Sequence, residues 1–330
     1  MTPSSILIIQ TAFIGDVILA TGLIEKLNEK FPHAAIDFLL RKGNESLLQH
    51  HPKLRSVLIW NKKEGKIKNL LKLVSEVRSR RYDAVINVHR FGSSGLITAF
   101  SGAPLTIGFD KNPFSLFFTQ KVKHEIGALH EVERNQKLIQ SLADGEAAHP
   151  KLYPTSADFE KVNHYKDGEY ICIAPASVWF TKQYPQEKWV ELTQQVKLTT
   201  TIYLLGAPTD FSLCEQIILA SKRPNVFNLS GKLSFLESAA LMQSAKMNYV
   251  NDSAPMHLAS SVNANVAAIY CSTVPDFGFG PLSVKSFVIQ TPEKLSCRPC
   301  GLHGHRQCPQ GHFKCATTIP TQELLQCLTV

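Results

Sequence analysis

Three short segments of the 330-residue chain combine residue types that can move protons or hold anions. The first reads Ala12-Phe13-Ile14-Gly15-Asp16-Val17. Gly15 would let the backbone turn tightly there, and the Asp16 carboxylate could take a proton from a nucleophile within hydrogen-bond reach. The same aspartate, near a helix start, has a second use as a cap. The second segment is Asn251-Asp252-Ser253-Ala254-Pro255-Met256-His257. Pro255 suits the first turn of a helix, and Asp252 and Ser253 can cap it. The amides of that turn then form an anion site suited to a diphosphate. His257 falls in the first turn, either facing that site or packed as an ordinary helix histidine. The third segment is Ala174-Pro175-Ala176-Ser177, followed by Lys182-Gln183-Tyr184-Pro185. Ser177 and Lys182 could contact phosphate oxygens. A lone loop lysine is otherwise simply solvated.

The elements that must position these residues are legible as periodicity. Ile6 to Ile9 is a short apolar run, and Leu19, Leu23, Ile24 and Leu27 follow at helical spacing. Ala35 to Leu40, Val57 to Trp60 and Asp83 to Val88 read as further strands. Residues 66–81 carry Ile67, Leu70, Leu71, Val74 and Val77 as one apolar stripe. The stretch 143–167 is polar, holds Gly145, Pro150 and Pro154, and is read as a linker. The pattern then restarts. Strands are expected at 170–174, 201–205, 248–250 and 266–270, with helices at 189–196, 213–220, 236–245 and 256–262. Strands alternating with helices imply parallel sheets. The chain is therefore expected to be an α/β protein of two Rossmann-like domains, 1–155 and 165–330, facing a central cleft. In such sheets ligands bind beyond the carboxyl ends of the strands. No G-x-G-x-x-G follows the first strand, so a dinucleotide fingerprint is absent.

No apolar run approaches the roughly 20 residues that span a membrane. The N-terminus lacks a basic region ahead of its short apolar stretch, and a cytoplasmic protein is expected. The formal net charge is +8. Residues 1–150 carry 20 basic and 14 acidic side chains and contribute +6; residues 151–330 carry 15 and 13 and contribute +2. A basic first half fits an anionic partner such as a membrane surface, a phosphorylated glycan or nucleic acid, or else a solvated lysine-rich face. The excess concentrates at 61–81, with eight Lys or Arg, among them Lys62, Lys63, Lys66 and Lys68, against two acidic residues. That stretch is either an ordinary domain helix or a basic face held against an anionic inner leaflet, where each cation contributes on the order of 1 kcal/mol. No zinc-finger helix, RNA-binding aromatic signature or helix-turn-helix is present, and no nucleic-acid partner is expected.

Four of the eight cysteines cluster as Cys297-x2-Cys300-x7-Cys308-x6-Cys315, with His303, His305 and His312 between them. In a cytoplasmic chain this favours a structural zinc over disulfides. Free thiols, or another metal, remain open. Nothing in the sequence ties the cluster to the three segments above, so no catalytic thiol is expected.

In this order and spacing, the three segments resemble glycosyltransferase family 9, the bacterial heptosyltransferases of lipopolysaccharide core. Gly108-Phe109-Asp110 is similar to the family's G-[FY]-D segment, and His130-Glu131-Val132-Glu133-Arg134-Asn135 to its H-x-V-E-R-N helix start. Leu204-Leu205-Gly206-Ala207-Pro208 and Gly280-Pro281 match its second-domain loops, so the resemblance covers almost the whole chain. Two stretches depart from it. Asp252-Ser253-Ala254 stands where Asp-Thr-Gly is frequent, and Asn87-Val88-His89-Arg90 stands where an Asp-Leu-Gln-Gly-like stretch is common, on the acceptor side.

The resemblance implies a GT-B fold and an inverting transferase needing no metal for catalysis. Asp16 would be the general base, with Gly15 beside it. The donor, an ADP-sugar such as ADP-heptose, would bind the second domain through Ser177, Asp252, Ser253, Ala254 and His257. Lys182 would help stabilise the leaving diphosphate, and a lipid-linked glycan would be the acceptor. The competing readings are a transferase of another nucleotide sugar to a cell-envelope glycan, a sugar-nucleotide epimerase, and a non-catalytic nucleotide-binding protein.

Overall fold

A computed structural model describes residues 2–62, 65–127 and 129–329. The chain divides into two compact units, one ending at Tyr153 and the other beginning at Pro154.

The first unit contains β1 (Ser5–Ile9), α1 (Ile14–Lys30), β2 (Ala35–Arg41), β3 (Ser56–Trp60), α2 (Lys66–Ser79) and β4 (Ala84–Asn87). It continues with α3 (Gly92–Ala99), β5 (Leu105–Phe109), β6 (Gln120–Val122) and α4 (Glu131–Ile139). Its six strands are all parallel, in the order β3-β2-β1-β4-β5-β6. β1 sits centrally, with Ile8 in register with Phe38 on one side and Ile86 on the other. Its unbroken apolar run follows from that place, because a central parallel strand is covered on both faces. Leu7, Ile9, Leu39, Trp60, Leu73, Val77 and Ile97 pack into one core.

The second unit contains α5 (Ser156–Val162), β7 (Tyr170–Ala174), α6 (Gln186–Gln195), β8 (Thr201–Leu204), α7 (Phe211–Ser221) and β9 (Val226–Asn228). There follow α8 (Phe235–Ser244), β10 (Asn248–Asn251), α9 (Ala254–Ser261), β11 (Val266–Tyr270), β12 (Ser286–Gln290), α10 (Lys314–Thr317) and α11 (Thr321–Gln326). The sheet order β12-β11-β10-β7-β8-β9 repeats that of the first unit, again all parallel. Its core holds Ile173, Trp189, Leu204, Tyr249 and Ile269. The Tyr249 hydroxyl donates to the Leu324 carbonyl at 2.7 Å, fastening α11 to the sheet.

Two expectations need correction. The stretch read as a linker carries α5, whose first turn is closed by Thr155 and Asp158 exchanging hydrogen bonds and which packs on α8. Its polar composition reflects a short helix with much of its surface in water. The stripe assigned to α2 also divides differently. Leu73 and Val77 are buried, whereas Ile67 and Leu71 are 74% and 60% exposed. Lys63 lies outside the described residues. No described helix is long and apolar enough to cross a membrane.

Candidate active site

In each sheet the chain leaves its first strand toward one edge and later returns to the other side of that strand, creating a switch point between β1 and β4 and another between β7 and β10. Crevices at such points are where α/β sheets bind ligands, and the segments singled out above lie there.

At the β1/β4 point, Phe13 caps α1 in an extended conformation and Asp16 is the third residue of the helix. The Phe13 amide donates to Asp16 Oδ2 at 3.0 Å. The carboxylate is half-buried, so the capping role is real and leaves Asp16 at the carboxyl edge of the sheet. Gly15, expected from sequence to sit in a tight turn, is instead the second residue of α1. Across the crevice, the Thr11 hydroxyl and His89 Nδ1 are hydrogen-bonded at 3.0 Å and both residues are buried. Asn112 donates to the carbonyls of His89 and Phe91 and so fixes the loop after β4. A Cβ at Gly95 would collide with that Asn112 side chain.

Positive charge gathers around this point. Lys62 donates to the Thr11 carbonyl at 2.8 Å, with its ammonium 4.5 Å from the centre of the Trp60 ring. Burial, with Arg41 and Lys66 adding, pushes its pKa down to about 8. Arg41 lies over the Phe13 ring at 4.7 Å. Burial lowers its pKa, and the Asp16 carboxylate acts in the opposite sense. His89 falls to about 4, through burial first and then Lys62, Arg90 and Arg41, so its imidazole is neutral at pH 7. Burial pushes Glu131 upward, and Asp16 adds to that rise. Sequence reasoning did not single out Thr11, Arg41 or Lys62 for this place, and it named His89 only within the Asn87–Arg90 stretch on the acceptor side. Only their convergence distinguishes them.

At the β7/β10 point, Lys182 lies in the short turn after β7 and Asp252 directly after β10. Lys182 Nζ is 2.6 Å from Asp252 Oδ2, with both side chains largely buried. The Thr273 hydroxyl donates to the same oxygen at 2.6 Å. Asn251 binds the two loops together, donating to the Pro175 carbonyl at 2.8 Å and accepting the Tyr184 amide at 2.9 Å. Ser253 stands at the N-cap position of α9 without the expected side-chain capping bond, its hydroxyl donating to the Asn251 carbonyl instead, and Ala254 is the helix's first residue. Ser177 is half-buried in the adjoining loop, where its carbonyl accepts Gln183 Nε2 at 2.6 Å. His257 is buried in α9, edge-on to Phe279.

All eight cysteines are free thiols, and among the described residues no group of three or more His, Cys, Asp or Glu is arranged for the structural zinc expected at Cys297, Cys300, Cys308 and Cys315. Cys297 Sγ and His312 Nε2 lie 3.8 Å apart. Burial, with Cys308, Cys297 and then Cys300 adding among the nearby charges, pushes Cys315 to about 11. Burial, with Cys297 and Cys308 adding, raises Cys300 too. The segment is nevertheless tied to the Lys182 loop, contrary to expectation: the Thr181 amide donates to the His305 carbonyl at 3.1 Å.

Two sheets of this order, each with charged loops at its switch point, define an α/β protein of two Rossmann-like units. The model of Glycosyltransferase family 9 (heptosyltransferase) matches residues 70–312; the chain belongs to that family and is a glycosyltransferase. Lipopolysaccharide heptosyltransferase 3 of Escherichia coli K12 is 26% identical over 277 residues, covering 78% of this chain and 80% of that protein. Two solved structures share the fold. The glycosyl transferase family 9 protein of Veillonella parvula DSM 2008 has a TM-score of 0.86 at 19% identity, covering 99% of this chain and 96% of its own. The E. coli ADP-heptose lps heptosyltransferase II has 0.82 at 23%, covering 98% and 97%.

Proposed function

We propose that the protein transfers heptose, or a related sugar, from ADP-heptose to a lipopolysaccharide core acceptor, with inversion and without a catalytic metal. The observation that carries this reading is the pairing of Lys182 with Asp252 beside the start of α9. A fixed ammonium and helix-start amides can meet the charge of a departing diphosphate, a task a metal otherwise performs. The name of the solved E. coli heptosyltransferase II, which includes ADP-heptose, supports the choice of donor.

In the first unit, Asp16 takes the proton of the acceptor hydroxyl. The oxygen forms a bond to the anomeric carbon of the donor as the bond from that carbon to the diphosphate oxygen breaks, and ADP leaves. Asp16 is coupled to Arg41, which also bears on Lys62 and on neutral His89. Burial and mutual repulsion disfavour the charged forms of Arg41 and Lys62, and an anionic acceptor would offset that cost. A phosphorylated or carboxylated glycan fits.

The reaction would take place in the cytoplasm, at the inner face of the inner membrane, where a lipid-linked acceptor sits. The exposed Ile67 and Leu71 alternate on α2 with exposed Lys66, Lys68 and Lys72, a composition suited to an anionic lipid surface.

A thermal-shift comparison of ADP, UDP, GDP and CMP tests the donor assignment. ADP at 100 times its dissociation constant should add about 2.7 kcal/mol. Equal responses to all four, or none to ADP, would remove the assignment.

A further inference from the structure

The cysteine-rich segment, which the proposed chemistry does not use, is hydrogen-bonded to the loops that carry it. Thr181 is almost fully buried and immediately precedes Lys182. Its hydroxyl oxygen accepts the His305 amide at 2.7 Å and the Ser272 hydroxyl at 3.0 Å. Its amide donates to the His305 carbonyl at 3.1 Å, and its carbonyl accepts the Ser272 amide at 3.2 Å. The Cys300 amide donates to the Ser272 carbonyl at 2.7 Å. Three pieces of chain therefore meet at Thr181: the Lys182 turn, the loop after β11, and the segment around 300–305.

The second fastening is Arg298. Its guanidinium donates to the carbonyls of Tyr270, Cys271 and Thr273 at 3.1, 2.8 and 2.8 Å. This fixes the loop that presents the Thr273 hydroxyl to Asp252. The segment thus holds both partners of the Lys182–Asp252 pair, one through Thr181 and the other through Thr273. Gly304 shows how closely it is applied. A Cβ there would lie 2.7 Å from Thr181 Oγ1, 3.1 Å from Lys182 Cγ and 3.2 Å from Ser272 Oγ, and its φ of +73° disfavours any other residue.

We infer that residues 298–305 are a positioning element for the donor site, with Thr181 as the joint that sets the Lys182 ammonium against Asp252. The inference rests on the reading of that pair as part of the donor site. Thr181 touches neither substrate in this scheme; it acts through Lys182. Removing its hydroxyl leaves the His305 amide and the Ser272 hydroxyl without their shared acceptor, and groups so deprived in a buried place rearrange toward other partners.

The test is ADP affinity by calorimetry on the full chain, with melting temperature measured alongside. Thr181→Val should weaken ADP about tenfold and raise the donor KM more than it lowers kcat. Thr181→Ser, which keeps the hydroxyl, should restore affinity to within about twofold. Gly304→Ala, in a loop, provides a second variant if Thr181→Val does not fold, and should weaken ADP similarly. A merely structural role would lower the melting temperature and leave ADP affinity unchanged; that result in either variant, with Lys182→Ala still losing affinity, overturns the inference. If Lys182→Ala binds ADP as wild type does, the donor-site reading itself fails.

Discussion

The two units share one strand order, but their switch points distribute charge in opposite ways. In the first, the acid follows the first strand (Asp16 after β1), and His89 and Arg90 follow the fourth (β4). In the second, the cation follows the first strand (Lys182 after β7), and the acid follows the fourth (Asp252 after β10). Their company differs as well. Asp16 caps its own helix and is coupled to Arg41, which also bears on Lys62 and a neutral imidazole. Asp252 is clamped by an ammonium and a hydroxyl, both at 2.6 Å on one oxygen. A carboxylate so clamped is fitted to hold its cationic partner. Asp16 instead accepts a backbone amide at 3.0 Å, and it is the acid proposed above to take the acceptor's proton.

The sharpest way to break this contrast is Asp16→Asn. The amide oxygen can still accept from the Phe13 N–H, so the cap survives; Asp16→Ala would lose it at about 1 kcal/mol. Turnover should fall by roughly 10²–10⁴, the usual contribution of a general base, while ADP affinity stays within about twofold. Near wild-type turnover in steady-state assays would end the base assignment.

Next in size is Lys182→Ala. Hydrogen bonds to charged groups contribute about 1.5–3 kcal/mol, so ADP should bind roughly 10- to 100-fold more weakly by calorimetry. Asp252→Asn keeps the site's shape and removes a negative charge from beside the diphosphate, so its loss of ADP affinity should be smaller. A larger loss at Asp252 would mean that the acid, not the lysine, is the principal contact.

Much of the contrast was legible beforehand, and the missing part has a physical cause. Long apolar runs such as Ile6 to Ile9 mark central strands, and turns such as Asn251-Asp252-Ser253 mark their ends. β6 and β9 have three residues each and no run to betray them; β5 and β12 are five-residue strands flanked by loops. Lys62, after β3, and His89, after β4, are ordinary in sequence and meet Thr11 only through the parallel order β3-β2-β1-β4. The fastening of the cysteine segment runs largely through backbone amides, which carry no residue signature.

A smaller effect comes from pH. His51, His89 and His124, all in the first unit, have pKa values lowered to about 4, in each case by burial first. An unfolded chain protonates its histidines near 6.5. As pH falls below that value the unfolded state binds protons that the folded state refuses. Stability is therefore complete above about pH 6.5 and declines as pH approaches 4. Amide exchange followed by mass spectrometry should show first-unit peptides losing protection in urea at pH 5 relative to pH 7, after correction for the intrinsic exchange rate. Unchanged protection would show that these imidazoles find partners when charged.

The smallest effect expected concerns the surface of α2. Lys62 cannot serve in that test, because its ammonium is folded against Thr11 at the proposed acceptor edge. Lys68 and Lys72 are exposed, and beside them Ile67 and Leu71 face water. Two apolar side chains among lysines gain by entering the headgroup region of an anionic bilayer, and each lysine adds on the order of 1 kcal/mol. Lys68→Glu with Lys72→Glu should weaken co-sedimentation with anionic vesicles several-fold at low salt and less at moderate salt, since the attraction is screened. Ile67→Ser with Leu71→Ser should weaken it at both salts, because the apolar term is not screened. Transfer to a short soluble acceptor should change little in either variant, which separates loss of the surface from loss of the site. If wild type sediments equally with anionic and neutral vesicles at both salts, α2 is a solvated helix and the acceptor is reached without it.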